Sequence, residues 1–458
     1  MMLPRFGTPF PMSLQSPRAS FGRMTLFFVP LVLICVSQGL TYPFVASVVS
    51  HGPLGVNEFT AYSMGQSAVF LVGTVCAAMV TTGMMFCRSR EGLREYNRLN
   101  MTLLAASVAP TLAACLPGPD RLVFSGVYGL ETPELVRVAR NSLLLGIPLQ
   151  ACFFLRNSSL AALLLARRSD LLNLCTFVRV GLAGLFAWLF VRLGWTGYAW
   201  GSCAMFVPGA VESALVVLLA RRYRLALPES DPRGIGLSAW RQLRFLIPLS
   251  LGGLLLWATM IVDYHYLMLS GAPGLGPEAA REAGLLNASL HTLVIGVVNP
   301  LALAALQLQS VAISFPPADA AGRRRLALFS LLAGLALAAA IAGLALPEAP
   351  ARWYFCSYQS LAPEHLPLAR ALAFGTAALP VLYAFAGRAN GLAANAFKSR
   401  AVLCGQAAYF LAMFASLRIL LALRVLPGWS WGVFSIACGI VAATAATTLG
   451  TRVLKPLR

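Results

Sequence analysis

The sequence predicts an all-α polytopic membrane protein, with about twelve transmembrane helices arranged as two pseudo-symmetric six-helix bundles. Three observations carry that expectation. Only 11% of the 458 residues are charged while 58% are hydrophobic, with mean hydropathy +0.75, too little charge to cover a soluble surface. Apolar runs of roughly 20 to 28 residues recur along the chain without alternating in polarity. They therefore read as helices crossing a hydrocarbon core of about 30 Å, not as barrel strands. Finally, Lys and Arg gather in every second loop.

Taken in order, the chain opens with a polar, Pro-rich segment over 1–23 that carries Arg5, Arg18 and Arg23. The apolar run after it is too long for a signal-peptide core and lacks a small-residue cleavage site, so a retained first helix is expected. Spans are predicted at 24–49, 58–86, 95–116, 138–165, 171–192 and 196–219, making an N-terminal bundle over 24–220. An Arg-rich linker over 221–241 holds Pro228, Pro232 and Gly234. Six more spans, at 243–269, 282–308, 326–346, 367–396, 401–423 and 430–450, make a second bundle over 242–451, with a tail over 452–458. Loops on the side of the two termini carry about four Lys or Arg for each one opposite, a positive-inside bias. Both termini are thus expected in the cytoplasm, with the chain in a bacterial inner membrane. Trp195, Trp200, Trp353, Trp429 and Trp431 fall on the other face, as an interfacial belt would.

The two halves echo each other. Phe27-Phe28-Val29-Pro30-Leu31 in the first helix matches Phe245-Leu246-Ile247-Pro248-Leu249 in the seventh. Pro133, Glu134, Ala139 and Arg140 recur 230 residues later as Pro363, Glu364, Ala369 and Arg370, and Arg168-Ser169 recurs as Lys398-Ser399. Pro and Glu suit a helix start, where a missing N–H costs nothing and the dipole favours an anion. Six helices per half give a parallel repeat, and such halves enclose a central cavity near mid-membrane.

On the stretches FFVPLVLICVSQGLTYPF (27–44), LRNSSLAALLLARRSDLLNLCTFVRVG (155–181) and RFLIPLSLGG (244–253), the chain resembles the MOP (multidrug/oligosaccharidyl-lipid/polysaccharide) exporter superfamily. Within it the likeness is greatest to the progressive ankylosis protein family and its bacterial relatives. The resemblance implies a MATE-like pair of bundles alternating access to a central cavity. The ankylosis family is associated with export of anions such as pyrophosphate, citrate or nucleotide. Other branches flip lipid-linked sugars or extrude cationic drugs. Drug exporters of the superfamily often carry an acid in the first helix, where this chain offers only Gln38.

Ionisable groups in hydrocarbon are costly and mark candidate sites. Those inside spans are Arg156, Arg179, Glu212, Asp263, His265, His291, Arg388 and Arg418. Arg156-Asn157 in the fourth helix and Arg388 with Asn390 in the tenth, related by a two-residue shift, suggest a pseudo-symmetric anion clamp. The alternative is that Arg156 pairs with Glu212 and Arg388 meets backbone carbonyls. Guanidinium suits a clamp because it stays charged and binds phosphate or carboxylate through two N–H groups. Arg179 and Arg418 join the substrate-binding candidates, while Glu212, Asp263, His265, His291 and Gln38 are candidates for coupling or gating. Asp263-Tyr264-His265 reads either as a proton-coupling pair or as a polar cap at a helix end. Glu58, Asp170, Arg140 and Arg370 read as caps and anchors.

No P-loop, metal-ligand spacing or nucleophile elbow is present, so neither an enzyme nor a cofactor or metal is expected. The net charge of +19 follows from topology and needs no nucleic acid. The ten cysteines sit mostly in apolar runs and read as small buried hydrophobes. The expected partners are membrane lipid, a small anionic substrate or a lipid-linked diphosphate, and a proton or cation for coupling.

Overall fold

The computed structural model describes residues 20–127, 130, 132–231, 233–271, 276–358 and 361–456. Arg5, Arg18, Pro232 and the side chains of Gln38 and Tyr264 lie outside the described residues. Among the described residues helices stand at each of the twelve predicted spans, the tenth in two pieces. The first six are α1 (Phe21–Ser50), α2 (Val56–Phe86), α3 (Arg90–Ala114), α4 (Pro133–Leu165), α5 (Ser169–Leu193) and α6 (Tyr198–Leu225). After the linker come α7 (Ala239–Met268), α8 (Pro277–Leu306), α9 (Ala320–Ala345), α10 (Leu366–Thr376 and Leu379–Asn395), α11 (Ser399–Leu423) and α12 (Trp431–Val453). Eight of these are long and apolar enough to cross a membrane by themselves, and α3 and α8 make ten when their bent continuations are counted. The bend after α3 reaches 94° at the turn into Pro119–Gly126, and α8 bends by 56° near Gly296. The tenth span, expected unbroken, is interrupted at Ala377 and Ala378, just ahead of Pro380, whose ring blocks a continuous ladder.

Four of the helix starts at the linker end are capped by side chains, whereas α5 and α11, which start at the same end, are not. At the end where the linker lies, α1, α3, α7 and α9 begin on Ser20, Ser89, Ser238 and Asp319, whose side chains accept from Arg23, Gly92, Arg241 and Gly322 backbone N–H. Such caps satisfy donors that the first turn leaves open. At the opposite end α4 and α8 begin on Pro133 and Pro277, whose fixed φ suits a first turn.

The repeat reaches the backbone. α4 ends with Arg167 at φ 58° and α10 with Phe397 at φ 56°, 230 residues apart. Each turn closes with the same pair of hydrogen bonds, Arg168 N to Leu163 O at 2.9 Å and Arg167 N to Leu164 O at 3.0 Å in one case, Lys398 N to Ala393 O at 2.9 Å and Phe397 N to Ala394 O at 2.8 Å in the other. This is the Schellman stop with a non-glycine residue in the left-handed position. Gly194 and Arg424, also 230 apart, end α5 and α11 in the left-handed region.

Packing repeats as well. In the first half α1 packs on α5, α2 on α4, α3 on α4, α4 on α6 and α5 on α6. In the second, α7 packs on α11, α8 on α10, α9 on α10, α10 on α12 and α11 on α12. Contacts between halves run from α1 to α8 and from α2 to α7, the pairs that exchange under a two-fold axis.

The halves are latched near the linker end. Phe27 meets Phe315 edge-on at 5.7 Å, and Phe86 meets both Phe245 and Phe397 at 5.6 Å. Arg167 donates from Nε and Nη2 to the Ser314 carbonyl at 3.2 and 2.9 Å and lies over the Phe315 ring. One expectation fails here. Trp431 stands at the expected end, at the start of α12, but faces inward, 1% exposed, with its indole N–H donating to the Leu426 carbonyl. Trp195 and Trp200 do stand exposed, stacked at 4.6 Å. All ten cysteines are free, with Cys76, Cys87, Cys115 and Cys175 buried.

Candidate functional site

A cavity of about 770 Å³ is lined mainly by the first half, with Leu306, Gln307, Gln309 and Ser310 of the second on its other side. Its polar wall is built by α4, α5 and α6. Each brings one ionisable side chain to a similar depth, about 14–20 Å from the linker end at 1.5 Å per residue. Arg156 comes from α4, Arg179 from α5 and Glu212 from α6, and all three line the cavity. Glu212 is buried and accepts from Arg156 Nη1 at 2.5 Å and from Arg179 Nη1 at 3.2 Å through the same oxygen. Its other oxygen accepts from Thr176 Oγ1 at 2.9 Å. Thr176 lies one turn before Arg179 on α5, so the two share a face. Arg156 also lies over the Phe153 ring at 4.5 Å.

The cluster holds two cations and one anion. Its excess positive charge stands in a low-dielectric setting where an unmatched charge is expensive and a visiting anion is strongly attracted. One donor is left over: Arg179 Nε is buried and has no hydrogen-bond partner among the described residues.

Opposite this wall, Tyr42 of α1 and Thr81 of α2 face Gln307, Gln309 and Ser310, at the break that follows α8. Gln309 Nε2 donates to Thr81 Oγ1 at 2.9 Å and Gln307 Nε2 to Cys35 Sγ at 3.6 Å. The second half thus supplies amides, not charges. Thr176, Gln307 and Gln309 were missed by reasoning from charge alone. The one signal for the two glutamines is polar residues recurring as Gln307-Leu308-Gln309-Ser310 within an apolar run.

The symmetric clamp is not formed. Neither Arg388 nor Asn390 lines the cavity. The repeat offset of 230 pairs Arg156 with Ala386, not with Arg388. Two residues of displacement turn a side chain by about 200° around a helix, onto the opposite face. Arg388 instead lies over the Phe385 ring at 5.1 Å, with its Nε lacking a hydrogen-bond partner among the described residues. Asn390 is buried within α10. Arg418 is exposed on the outward face of α11 and lines no part of the cavity. Asn157 does line it, yet its amide donates to Asn100 Oδ1 at 3.4 Å and Cys76 Sγ at 3.3 Å, tying α4 to α3 and α2.

A second polar centre lies in the other half. Asp263 pairs with His291, Oδ2 to Nε2 at 3.0 Å, both side chains buried. Ser435 Oγ approaches Asp263 Oδ1 at 3.4 Å, while Tyr383 hydrogen-bonds Tyr409, which meets Thr259. The partner nearest in sequence, His265, is exposed and stacks edge-on against Tyr266, because residues two apart in a helix point about 200° apart. Asp263 is therefore neither a helix-end cap nor paired with His265. Gly432 of α12 seals the pair, since a Cβ there would stand 2.4 Å from His291 Cε1. Of the predicted anchors, buried Glu58 accepts from Leu54 and Tyr198 N–H, Asp170 pairs with Arg168, Arg140 with Asp120, and Arg370 with the Ala345 carbonyl. Among the described residues no His, Cys, Asp and Glu group could hold a metal.

No protein-family model and no curated protein sequence matches the chain. Solved structures do. The chain is similar to an outward-facing multidrug resistance MATE family transporter of the MOP superfamily, with 17% identity and TM-score 0.70 over 96% of this chain and 97% of that one. A MOP superfamily transporter from Pyrococcus furiosus, described by a binding pocket of reverse polarity that suggests a different function, aligns with 16% identity and TM-score 0.68 over 96% and 97%. A Vibrio cholerae MATE transporter aligns with 15% identity and TM-score 0.69 over 94% and 96%. The likeness is one of fold, and it extends over nearly the whole chain.

Proposed function

We propose that the chain is a secondary transporter that exports a small organic or phosphorylated anion by alternating access, with pyrophosphate, citrate or nucleotide as the class of cargo. The observation that carries this reading is the cavity wall, where Arg156 and Arg179 share the single carboxylate of Glu212. Glu212 then acts as an internal counter-ion. An arriving phosphate or carboxylate takes one guanidinium from it, and re-pairing with Glu212 helps to expel the cargo when the cavity opens to the other side. Binding through exchange avoids leaving either guanidinium bare in hydrocarbon. Among transporters of this fold, reversed pocket polarity has been linked to a different function in the Pyrococcus furiosus protein, and a surplus of guanidinium is one way to reach such polarity. A cationic drug would be repelled by the same surplus. The Asp263–His291 pair, two ionisable side chains buried against each other inside the second bundle, offers the group for proton coupling.

The test is uptake of labelled citrate, pyrophosphate and nucleotide into proteoliposomes, with and without a pH gradient. Saturable uptake of at least one anion is expected. Arg156→Gln and Arg179→Gln should each weaken it by about ten- to a hundred-fold, the worth of one charged hydrogen bond. Wild-type silence on all three anions would remove the reading. Movement of a lipid-linked diphosphate in the same vesicles would move the assignment to a flippase, since those guanidiniums could also hold a diphosphate.

A further inference from the structure

A second hollow of about 1070 Å³ lies outside the transport cavity, on the flank of the first half between α3, α4 and α6. Its two ends differ in chemistry. Toward the linker it is rimmed by Arg90, Arg94, Arg221 and Arg224, with Glu229 the one carboxylate among them. Arg94 pairs with Glu229 at 2.6 Å and Arg90 approaches the same carboxylate at 3.7 Å. Arg224 donates to Ser159 Oγ at 3.2 Å. Exposed Arg221 has no partner among the described residues. The rim therefore keeps a surplus of three positive charges. Away from the linker the walls are apolar: Leu155, Val217 and Leu218 line the hollow and are 53%, 37% and 65% exposed.

We infer that this groove holds an anionic diacyl phospholipid from the leaflet at the linker end. The occupant follows from charge and place. The rim carries net positive charge where headgroup phosphates lie, the walls beneath are apolar where acyl chains lie, and the groove opens sideways from a membrane-spanning bundle. Basic pockets between transmembrane helices recognise anionic headgroups in this way, each guanidinium adding about 1 kcal/mol, or roughly five-fold. A free phosphate would use the rim alone and leave the apolar walls idle. Because α4 and α6 also carry Arg156 and Glu212, a lipid seated here braces the outer side of the helices that form the cavity wall.

The experiment is native mass spectrometry of the full chain in detergent, with phosphatidylglycerol or phosphatidylcholine added. Wild type should retain phosphatidylglycerol at least ten-fold more tightly. The double variant Arg221→Gln/Arg224→Gln should lose about twenty-five-fold in phosphatidylglycerol retention and little in phosphatidylcholine retention. Val217→Trp, which fills the groove and leaves all four guanidiniums, should reduce phosphatidylglycerol retention too. Melting in phosphatidylcholine micelles identifies a variant that fails to fold, and Val217→Trp then decides alone. Equal retention of the two lipids by wild type overturns the proposal. So does retention unchanged in the folded variants, or displacement of the lipid by millimolar inorganic phosphate.

Discussion

Glu212 holds two guanidiniums at once, and that arrangement fixes what its substitutions should do. Glu212→Gln removes the competing anion while keeping the shape, so cargo should bind about ten-fold more tightly and leave more slowly. Equilibrium binding and proteoliposome flux together check this, and weaker binding would mean that Glu212 serves only to hold the helices together. Glu212→Ala strands two buried cations and should cost about 3–5 kcal/mol in thermal unfolding. In the second half, Asp263→Asn breaks the buried pair with His291 and should remove the dependence of uptake on an imposed pH gradient. Unchanged gradient dependence would take coupling away from that pair. At this scale the sequence shows which residues are out of place, because Arg156, Arg179, Glu212, Asp263 and His291 are ionisable groups inside apolar runs. It does not show who meets whom. Partners lie 33 and 56 residues apart for Glu212, and a two-residue slip sent Arg388 to the far side of α10.

At the scale of elements, the stops of α4 and α10 matter most. A non-glycine residue in the left-handed region costs roughly 1 kcal/mol, so Arg167 must recover that cost elsewhere. It does so by reaching the Ser314 carbonyl and the Phe315 ring in the other half. Arg167→Ala keeps the backbone cost and loses the latch, and should lower stability by about 1–3 kcal/mol. Arg167→Gly loses the same contacts but relieves the backbone, so its loss should be smaller by about 1 kcal/mol. Denaturation in detergent separates the two, and equal losses would mean that the left-handed position is unstrained. Close helix contacts are equally specific: a Cβ on Gly65 of α2 would stand 2.4 Å from the Ala139 carbonyl oxygen, so Gly65→Ala should cost about 1–3 kcal/mol. Helix number and order were legible because apolar length is written locally. The bends near Gly296 and after Ala114 stand beside local breakers, Pro300 four residues on and Pro117-Gly118-Pro119, but their angles of 56° and 94° are not written in the sequence.

For the whole molecule, the linker is more than a tether. Arg90 N donates to the Pro228 carbonyl at 2.8 Å and Glu91 N to that of Glu229 at 3.2 Å, while Arg233 reaches the Met85 carbonyl at 2.6 Å. Asp231 grips Arg233 at 2.6 Å. Burial alone would raise the Asp231 carboxyl, but the Arg233 guanidinium and backbone N–H outweigh it and hold the carboxyl below its ordinary 3.8. A group lowered in the folded state adds stability above its unfolded value and loses it as pH falls through the folded one. Asp231→Asn should therefore lower the melting temperature equally at pH 7 and pH 5, with wild type and variant converging only below about 4. A gap that closes already at pH 5 would show that the carboxyl is not lowered.

Those hydrogen bonds bind the linker to the first half, while the Arg233 guanidinium also lies over the Phe397 ring of the second at 5.5 Å, and Gln242 of α7 donates to the Leu237 carbonyl at 2.9 Å and to that of Gly92 at 3.4 Å. A nick in the peptide chain between Gly234 and Gly236 would leave the Arg233 ties on the first fragment and the Leu237–Gln242 bond on the second, and each bundle with its own caps, stops and core. Two separately translated fragments, 1–234 and 235–458, should then find each other in one membrane through the α1–α8 and α2–α7 seams and reconstitute uptake. Covalent continuity would serve delivery of the two pieces in equal number, with recognition between them already written into their facing surfaces.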